Sequence, residues 1–383
     1  MIKNNTLKNR GILINFIRSY LDNNRDFPSF LENSKLNWDS IFILSLKEGI
    51  APIIYKIFFI SGYFKYVSKH HLNLFKKVYL ETYSINQYLT NILKEFSFRL
   101  SKKDLKVIVF KGIPILELYE DIALRPMEDI DLLIKSEDIN QVSDVLKEMG
   151  FYNDNVYPLT YKKGIIKIDL HTDPFSADRI GKRKDLVNLS LNDIYREAKP
   201  FLNGDSSILK PSIYHLIILQ SYHMLKHSFN RLIWHIDMIK IFNGYSPSIN
   251  WTAFYNLCKK IGSDRAVYYS FIIPAKTFDI TCMSFLDKIF SFSPSIIERF
   301  IINKISKGYN LGRIPQLLYL YQFNTLIDKI QFFWENTLPN KDIILQGNPQ
   351  YKYKSNLYLI FNRFSYITKI LFEDIRKAFM MEI

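Results

Sequence analysis

Apolar positions in the first hundred residues fall at helical spacing. Leu74, Val78, Ile85, Leu89, Ile92 and Phe96 recur at steps of three, four and seven, which puts them on one face of a long helix. Lys102-Lys103 follow its last turn, where positive charge suits the helix dipole. The pattern changes at Leu105. Residues 106–110, Lys-Val-Ile-Val-Phe, are a short β-branched run that predicts a buried strand. Lys111-Gly112 ends it, and a short helix is expected over 113–119. A second strand is predicted over 129–134. Ser136 then reads as an N-cap, with Glu137 and Asp138 in the first turn. Ile139, Val142, Val145, Leu146 and Met149 form an apolar stripe that Gly150 closes. Lys163-Gly164 reads as a turn before a third strand over 165–171. Beyond Pro211, which suits a first helical position, one helix is predicted over 212–242, stopped by Asn243-Gly244. The expected fold class is α+β. A small mixed-sheet α/β core over 104–210 is flanked by helical regions over 1–103 and 211–383.

Composition adds a folded interior. In 383 residues, 48% are apolar, and 30 Phe and 25 Tyr supply large side chains, so extensive disorder is excluded. The formal charge of +14 suits a polyanionic partner, either nucleic acid or a nucleoside triphosphate. The basic residues are scattered, however, in short runs such as Lys102-Lys103 and Lys259-Lys260, and a codon bias towards Lys, Asn and Ile would give the same charge. Cys258 and Cys282 offer neither a metal cluster nor a disulfide framework, so a reduced cytoplasmic setting is expected. The N-terminal residues lack a secretory signal. The apolar stretch over 41–64 is broken by Lys47, Glu48, Pro52 and Lys56, so no membrane span is expected.

The sharpest chemical signal is Arg125-Pro-Met-Glu-Asp129-Ile-Asp131-Leu-Leu-Ile. Strand residues two apart share a face, so Asp129 and Asp131 project together. Two like charges there repel, and a divalent cation, Mg²⁺ or Mn²⁺, is the natural compensation. Asp169 sits between Ile168 and Leu170 in another strand; if the strands adjoin, three carboxylates converge as a two-metal site requires. Arg125 is placed either to grip a phosphate with its fork or to neutralise the aspartates. His171 shares a face with Asp169 and is a candidate for orienting substrate, or a half-buried histidine. On the predicted helix, His223, His227, Arg231 and His235 follow at steps of four. That stripe suits triphosphate or acceptor binding, or packing; zinc is disfavoured because no Glu follows His223.

Three stretches together resemble a known family: Phe110-Lys-Gly-Ile-Pro-Ile-Leu, the acidic strand with its Arg125-Pro-Met-Glu lead, and Ile168-Asp-Leu-His171. Gly49-Ile-Ala-Pro-Ile-Ile-Tyr55, His223-Met-Leu-Lys-His227 and Arg231-Leu-Ile-Trp-His-Ile-Asp237 extend the likeness over most of residues 49–237. The family is the uncharacterised bacterial nucleotidyltransferases of the DNA polymerase beta-like superfamily. The resemblance implies a nucleotidyltransferase core in which Asp129 and Asp131 hold the metal carrying the triphosphate, while Asp169 completes a second metal site. A nucleoside monophosphate would pass to a hydroxyl or phosphate acceptor with release of pyrophosphate. The acceptor could be a peptide, a protein, a small molecule or an RNA end. One departure stands out. The superfamily places Gly-Ser or Gly-Gly after the first strand, whereas this chain has Lys111-Gly112-Ile113. The Gly permits close backbone approach and Lys111 supplies a point charge for phosphate, but the hydroxyl is missing. A binding scaffold on a degenerate transferase fold, or a toxin-like enzyme that modifies transfer RNA, are the competing expectations.

Overall fold

The computed structural model describes residues 2–21, 36–154, 157–175, 180–202, 205–338, 341–347, 350 and 353–379. Helices α1 (Ile2–Leu21), α2 (Trp38–Glu48) and α3 (Ala51–Ser61) lead into the long α4 (Lys69–Ser101). Asn37 caps α2 by accepting from Ser40 N at 3.0 Å, and Ser68 caps α4 through His71 N at 3.3 Å. Leu89, Ile92 and Phe96 are buried on α4 as the spacing predicts, together with Phe75. Three polar residues, Thr82, Asn86 and Ser97, are buried on the same helix.

The sheet has seven strands: β1 (Val107–Phe110), β2 (Ile130–Leu133), β3 (Tyr152–Asn153), β4 (Thr160–Lys163), β5 (Ile166–His171), β6 (Lys199–Leu202) and β7 (Asp205–Lys210). Their order is β3-β4-β5-β2-β1-β7-β6. The β2–β5 and β1–β7 pairs are parallel and the others antiparallel, so the sheet is mixed and the fold α+β. Short helix α5 (Gly112–Leu116) joins β1 to the loop before β2, and α6 (Ile139–Glu148) follows β2. Ser136 is not the N-cap expected of it. It opens a 3-10 turn over Ser136–Asp138, and α6 begins after Asp138 with no side-chain cap. Gly150 does end α6, at φ 82°.

Alternation along the strands divides the interior in two. Val107, Val109, Ile130, Leu132 and Ile168 pack on one face with α4 and α6. Ile108, Phe110 and Leu133 pack on the other, with α1–α3 and the helices beyond the sheet. Asp131 and Asp169 lie on this second face, beneath those helices.

Helix α7 (Leu191–Glu197) precedes β6, and the segment after the sheet begins with α8 (Ile213–Lys226) and α9 (Leu232–Tyr245). The single helix expected over 212–242 is therefore two. Ser228 and Phe229 take left-handed φ values of 59° and 54° between them. Neither is Gly; the break is fixed from a distance. Phe229 is fully buried, and Glu48 Oε2 accepts from Leu232 N at 2.9 Å, capping α9 from another part of the chain. Arg10 binds both that carboxylate (3.1 Å) and Asn230 O (3.0 Å). The stop expected at Asn243-Gly244 is also displaced: α9 runs through Gly244, where a Cβ would lie 2.9 Å from Leu118 Cδ2. There Gly admits a neighbouring side chain. Helices α10 (Trp251–Ile261), α11 (Asp264–Phe278), α12 (Leu286–Ile289) and α13 (Ile296–Ser306) follow. A 3-10 stretch (Ile314–Gln322), α14 (Leu326–Thr337), α15 (Lys341–Gly347) and α16 (Asn356–Phe379) complete the described chain.

Candidate active site

Strand register assembles the site. Asp131 stands opposite Phe110 on β1 and opposite Asp169 on β5, while Leu133 pairs with His171. The end of β1 delivers Lys111, whose backbone sits at φ 62°, ψ −116°. Such a conformation costs a non-Gly residue on the order of 1–3 kcal/mol. It accompanies a specific contact: Lys111 Nζ lies 2.5 Å from Asp131 Oδ1. His171 Nε2 hydrogen-bonds the same oxygen at 2.8 Å. A second lysine, Lys167, bridges Asp169 Oδ2 at 2.5 Å and Asp129 Oδ2 at 3.2 Å. Thr160 Oγ1 donates to Asp169 Oδ1 at 2.6 Å. The ammonium groups of Lys111 and Lys167 thus occupy the positions that a cation would take among the carboxylates.

These neighbours set the protonation states. Burial opposes ionisation of Asp131, but the Lys111 ammonium and the His171 ring hold its carboxyl well below the usual carboxylate range. Burial and the Asp131 charge push Asp129 up, against the pull of Lys167. Burial opposes the charge on Lys167, yet Asp169 and Asp129 raise it above an ordinary lysine.

The loop before β2 is held from two sides. Asn86 of α4 donates from Nδ2 to Ile122 O at 2.6 Å and to Arg125 O at 2.9 Å. Arg125 Nε and Nη2 each reach buried Asp237 of α9 at 2.8 Å, so its fork is committed to a carboxylate outside the acidic cluster. Nη1 is turned to Gly112, where a Cβ would approach it to 2.6 Å. Gly112 is therefore required for side-chain packing behind the loop.

Asp129, Asp131, Asp169, His171, Lys111, Gly112, Arg125, His223, His227 and Arg231 all line one cavity of about 440 Å³. The His223, His227 and Trp234 rings cluster with centroids 4.8–5.2 Å apart. Burial, His227 and Lys111 hold His223 well below its usual pKa. Burial, Lys226 and Lys111 bring His227 to about 4. Both rings are neutral at pH 7, so the cationic part of the expected stripe is reduced to Arg231. Arg231 binds Glu128 at 3.0 Å with its guanidinium over Trp234. His235 leaves the stripe at the helix break: it is buried, with Nε2 on Phe229 O at 2.9 Å.

The donor set fits a divalent ion. Ligand atoms of Asp131, Asp169 and His171 all lie within 4.8 Å of one another. The carboxylate oxygens suit Mg²⁺ or Mn²⁺, and an imidazole beside them is better tolerated by Mn²⁺ than by the harder Mg²⁺. Asp129 borders the same cavity, tied to Lys167. Sequence reading passed over Lys167, although the alternation Lys167, Asp169, His171 puts it on the same polar face. Nothing local marks Thr160 or Asn86.

A mixed sheet carrying paired acids beneath a helical cover defines a nucleotidyltransferase-like architecture. The family model described as "uncharacterised nucleotidyltransferase" matches residues 34–279, and the chain belongs to that family. Membership makes it a transferase of the nucleotidyl class. No curated protein and no solved structure matches the chain. Among the described residues, no helix is long and apolar enough to cross a membrane.

Proposed function

We propose that this protein moves a nucleoside monophosphate from a nucleoside triphosphate to an acceptor hydroxyl or phosphate. The observation that carries the reading is Asp131, Asp169 and His171 converging in a cavity also lined by Arg231 and the His223–His227–Trp234 cluster. The first group suits a metal and the second a phosphorylated, ring-bearing substrate.

Asp131, Asp169 and His171 would hold a divalent cation, with Asp129 beside them. The chemistry such an ion supplies is charge neutralisation on the triphosphate and a lowered pKa for the acceptor hydroxyl. The remaining work falls to the chain's own groups. Lys111, tethered at the end of β1, turns its ammonium from Asp131 to a phosphate oxygen. Arg231 adds a second positive charge, and Trp234 offers a flat face for the base. The acceptor oxygen forms a bond to the α-phosphorus while the bridge to the β-phosphate breaks, and pyrophosphate leaves with that electron pair. Asp169, oriented by Thr160, takes the acceptor's proton. Most of the rate enhancement then comes from positioning and fixed charge.

Incubation with each labelled triphosphate, Mg²⁺ or Mn²⁺ and a lysate should label an acceptor. Asp131→Asn should lower transfer at least about a hundredfold, since metal stabilisation of transition-state charge is worth several kcal/mol. Transfer in Asp131→Asn above a tenth of wild type would reject the assignment. Failure of every triphosphate to raise thermal stability with either metal would leave the fold a binding scaffold.

A further inference from the structure

Lys226 and His227 border two cavities at once: the transfer cavity and a neighbour of about 320 Å³. Arg313, Gln316 and Ile370 in turn border that neighbour and a third cavity of about 130 Å³ between the Ile314–Gln322 stretch, α14 and α16. Three neighbouring cavities, each sharing wall residues with the next, therefore run from the acidic cluster to α16. Gln316 fastens the middle one, donating from Nε2 to Lys226 O at 3.0 Å. The buried Asp374 carboxylate borders the same middle section and accepts from Arg313 N at 2.8 Å.

Two guanidiniums meet at the far end. Arg313 and Arg363 lie 5.9 and 5.7 Å from the centroid of the Tyr366 ring. Among the described residues neither side chain forms an ion pair with a carboxylate; Arg363 Nε reaches only Thr337 O, at 3.3 Å. Burial and the nearby Arg313 charge lower the Arg363 pKa, as expected of like charges without a counter-ion. Leu317, Leu320, Phe332 and Phe333 give this cavity an apolar side, and Gln316, Asn336 and Thr337 a polar one. Its volume is close to the ~150 Å³ of an apolar cavity that admits a benzene ring. Exposed Tyr366 and Phe333 add aromatic faces beside the cations, the combination that binds bases and phosphates of single strands.

We propose that Arg313 and Arg363 bind the phosphate of a second nucleotide, whose base enters the Phe332–Phe333 cavity. This rests on the transfer reading of the acidic cavity, because the row of adjoining cavities gives the second nucleotide its role as part of the acceptor. The shared ligand chemistry is a nucleotide. Its source is either a free mononucleotide or the end of a single strand whose terminal hydroxyl reaches Asp169.

The test is fluorescence anisotropy with a labelled single-stranded RNA decamer, and competition by adenosine monophosphate, without triphosphate or metal. Arg313→Gln and Arg363→Gln should each weaken binding about tenfold or more, as expected for a lost charged hydrogen bond. Arg313→Gln should melt no lower than wild type, because it removes a repulsion. A decamer that binds while the mononucleotide does not compete assigns a strand end; equal competition assigns the free nucleotide. Unchanged affinity in the double variant, or no binding of either probe, would overturn the proposal. So would a melting point several degrees lower in Arg313→Gln, which would make these arginines structural. Triphosphate binding, read separately as a Mn²⁺-dependent thermal shift, reports on the transfer cavity, so the two readings can fail independently.

Discussion

Replacing Asp237 with asparagine should be among the costliest conservative changes in the molecule. Asp237 is fully buried and accepts four hydrogen bonds: from Tyr119 Oη, Arg125 Nε and Arg125 Nη2, each at 2.8 Å, and from Gln220 Nε2 at 3.5 Å. Asparagine keeps the shape, but it loses the charge and presents an NH₂ to groups that are themselves donors. Arg125, itself 6% exposed, is left as a buried unpaired cation. Breaking a buried pair from one side costs about 3–5 kcal/mol. With an unfolding entropy near 2.1 cal/mol/K per residue, cooperative melting of this chain has ΔS of about 0.8 kcal/mol/K. The expected drop in Tm is therefore about 5 °C, read by calorimetry beside urea denaturation. Arg125→Met/Asp237→Leu, which removes both charges, should recover much of the loss. Transfer should fall too, because Arg125 positions the loop that begins β2. Asp237→Asn within about 0.5 kcal/mol of wild type, below the cost of even an ordinary lost hydrogen bond, would refute this account of the pair.

Two further substitutions probe the packing. Gly112→Ala places a methyl 2.6 Å from Arg125 Nη1 and 3.2 Å from Met127 Sδ, and Arg125 is held too firmly to give way. It should cost about 1–3 kcal/mol, typical of overpacking, and an unchanged urea midpoint would mean that the loop yields freely. His235 titrates at about 3 because burial and then the Arg10 charge disfavour its cation. Its folded pKa lies below the unfolded value near 6.5, so its contribution is complete above pH 6.5 and lost as pH falls towards 3. From pH 6.5 to 5 wild type should lose about 2 kcal/mol more stability than His235→Gln, and parallel losses would dismiss the claim.

Much of the sheet and of the candidate site was legible because its signals are local. The β-branched run before Lys111 became β1, and alternation in 166–171 put Asp169 and His171 on one face. Asp129-Ile-Asp131 marked the acids directly. What escaped depends on distant partners. No Gly or Pro announces the break between α8 and α9; Glu48 and buried Phe229 impose it. Asn86 carries no local signal, and its purpose appears only when the backbone at Ile122 and Arg125 arrives beside it. Its neighbours in sequence suggest a phosphate or the nearby aspartates as partner for Arg125, whereas its fork is taken by Asp237, 112 residues away.

The Glu48 carboxylate has a consequence for how the cleft ages and fails. It clasps the first turn of α9, and Arg10 clasps it in turn. The rim bearing Arg231 and Trp234 is thus tied to α1 as well as to the loop that enters β2, which it reaches through Arg231–Glu128 and Asp237–Arg125. Damage to α1 would release one of two tethers, loosening the cleft's roof on that side while the acidic floor stays in place.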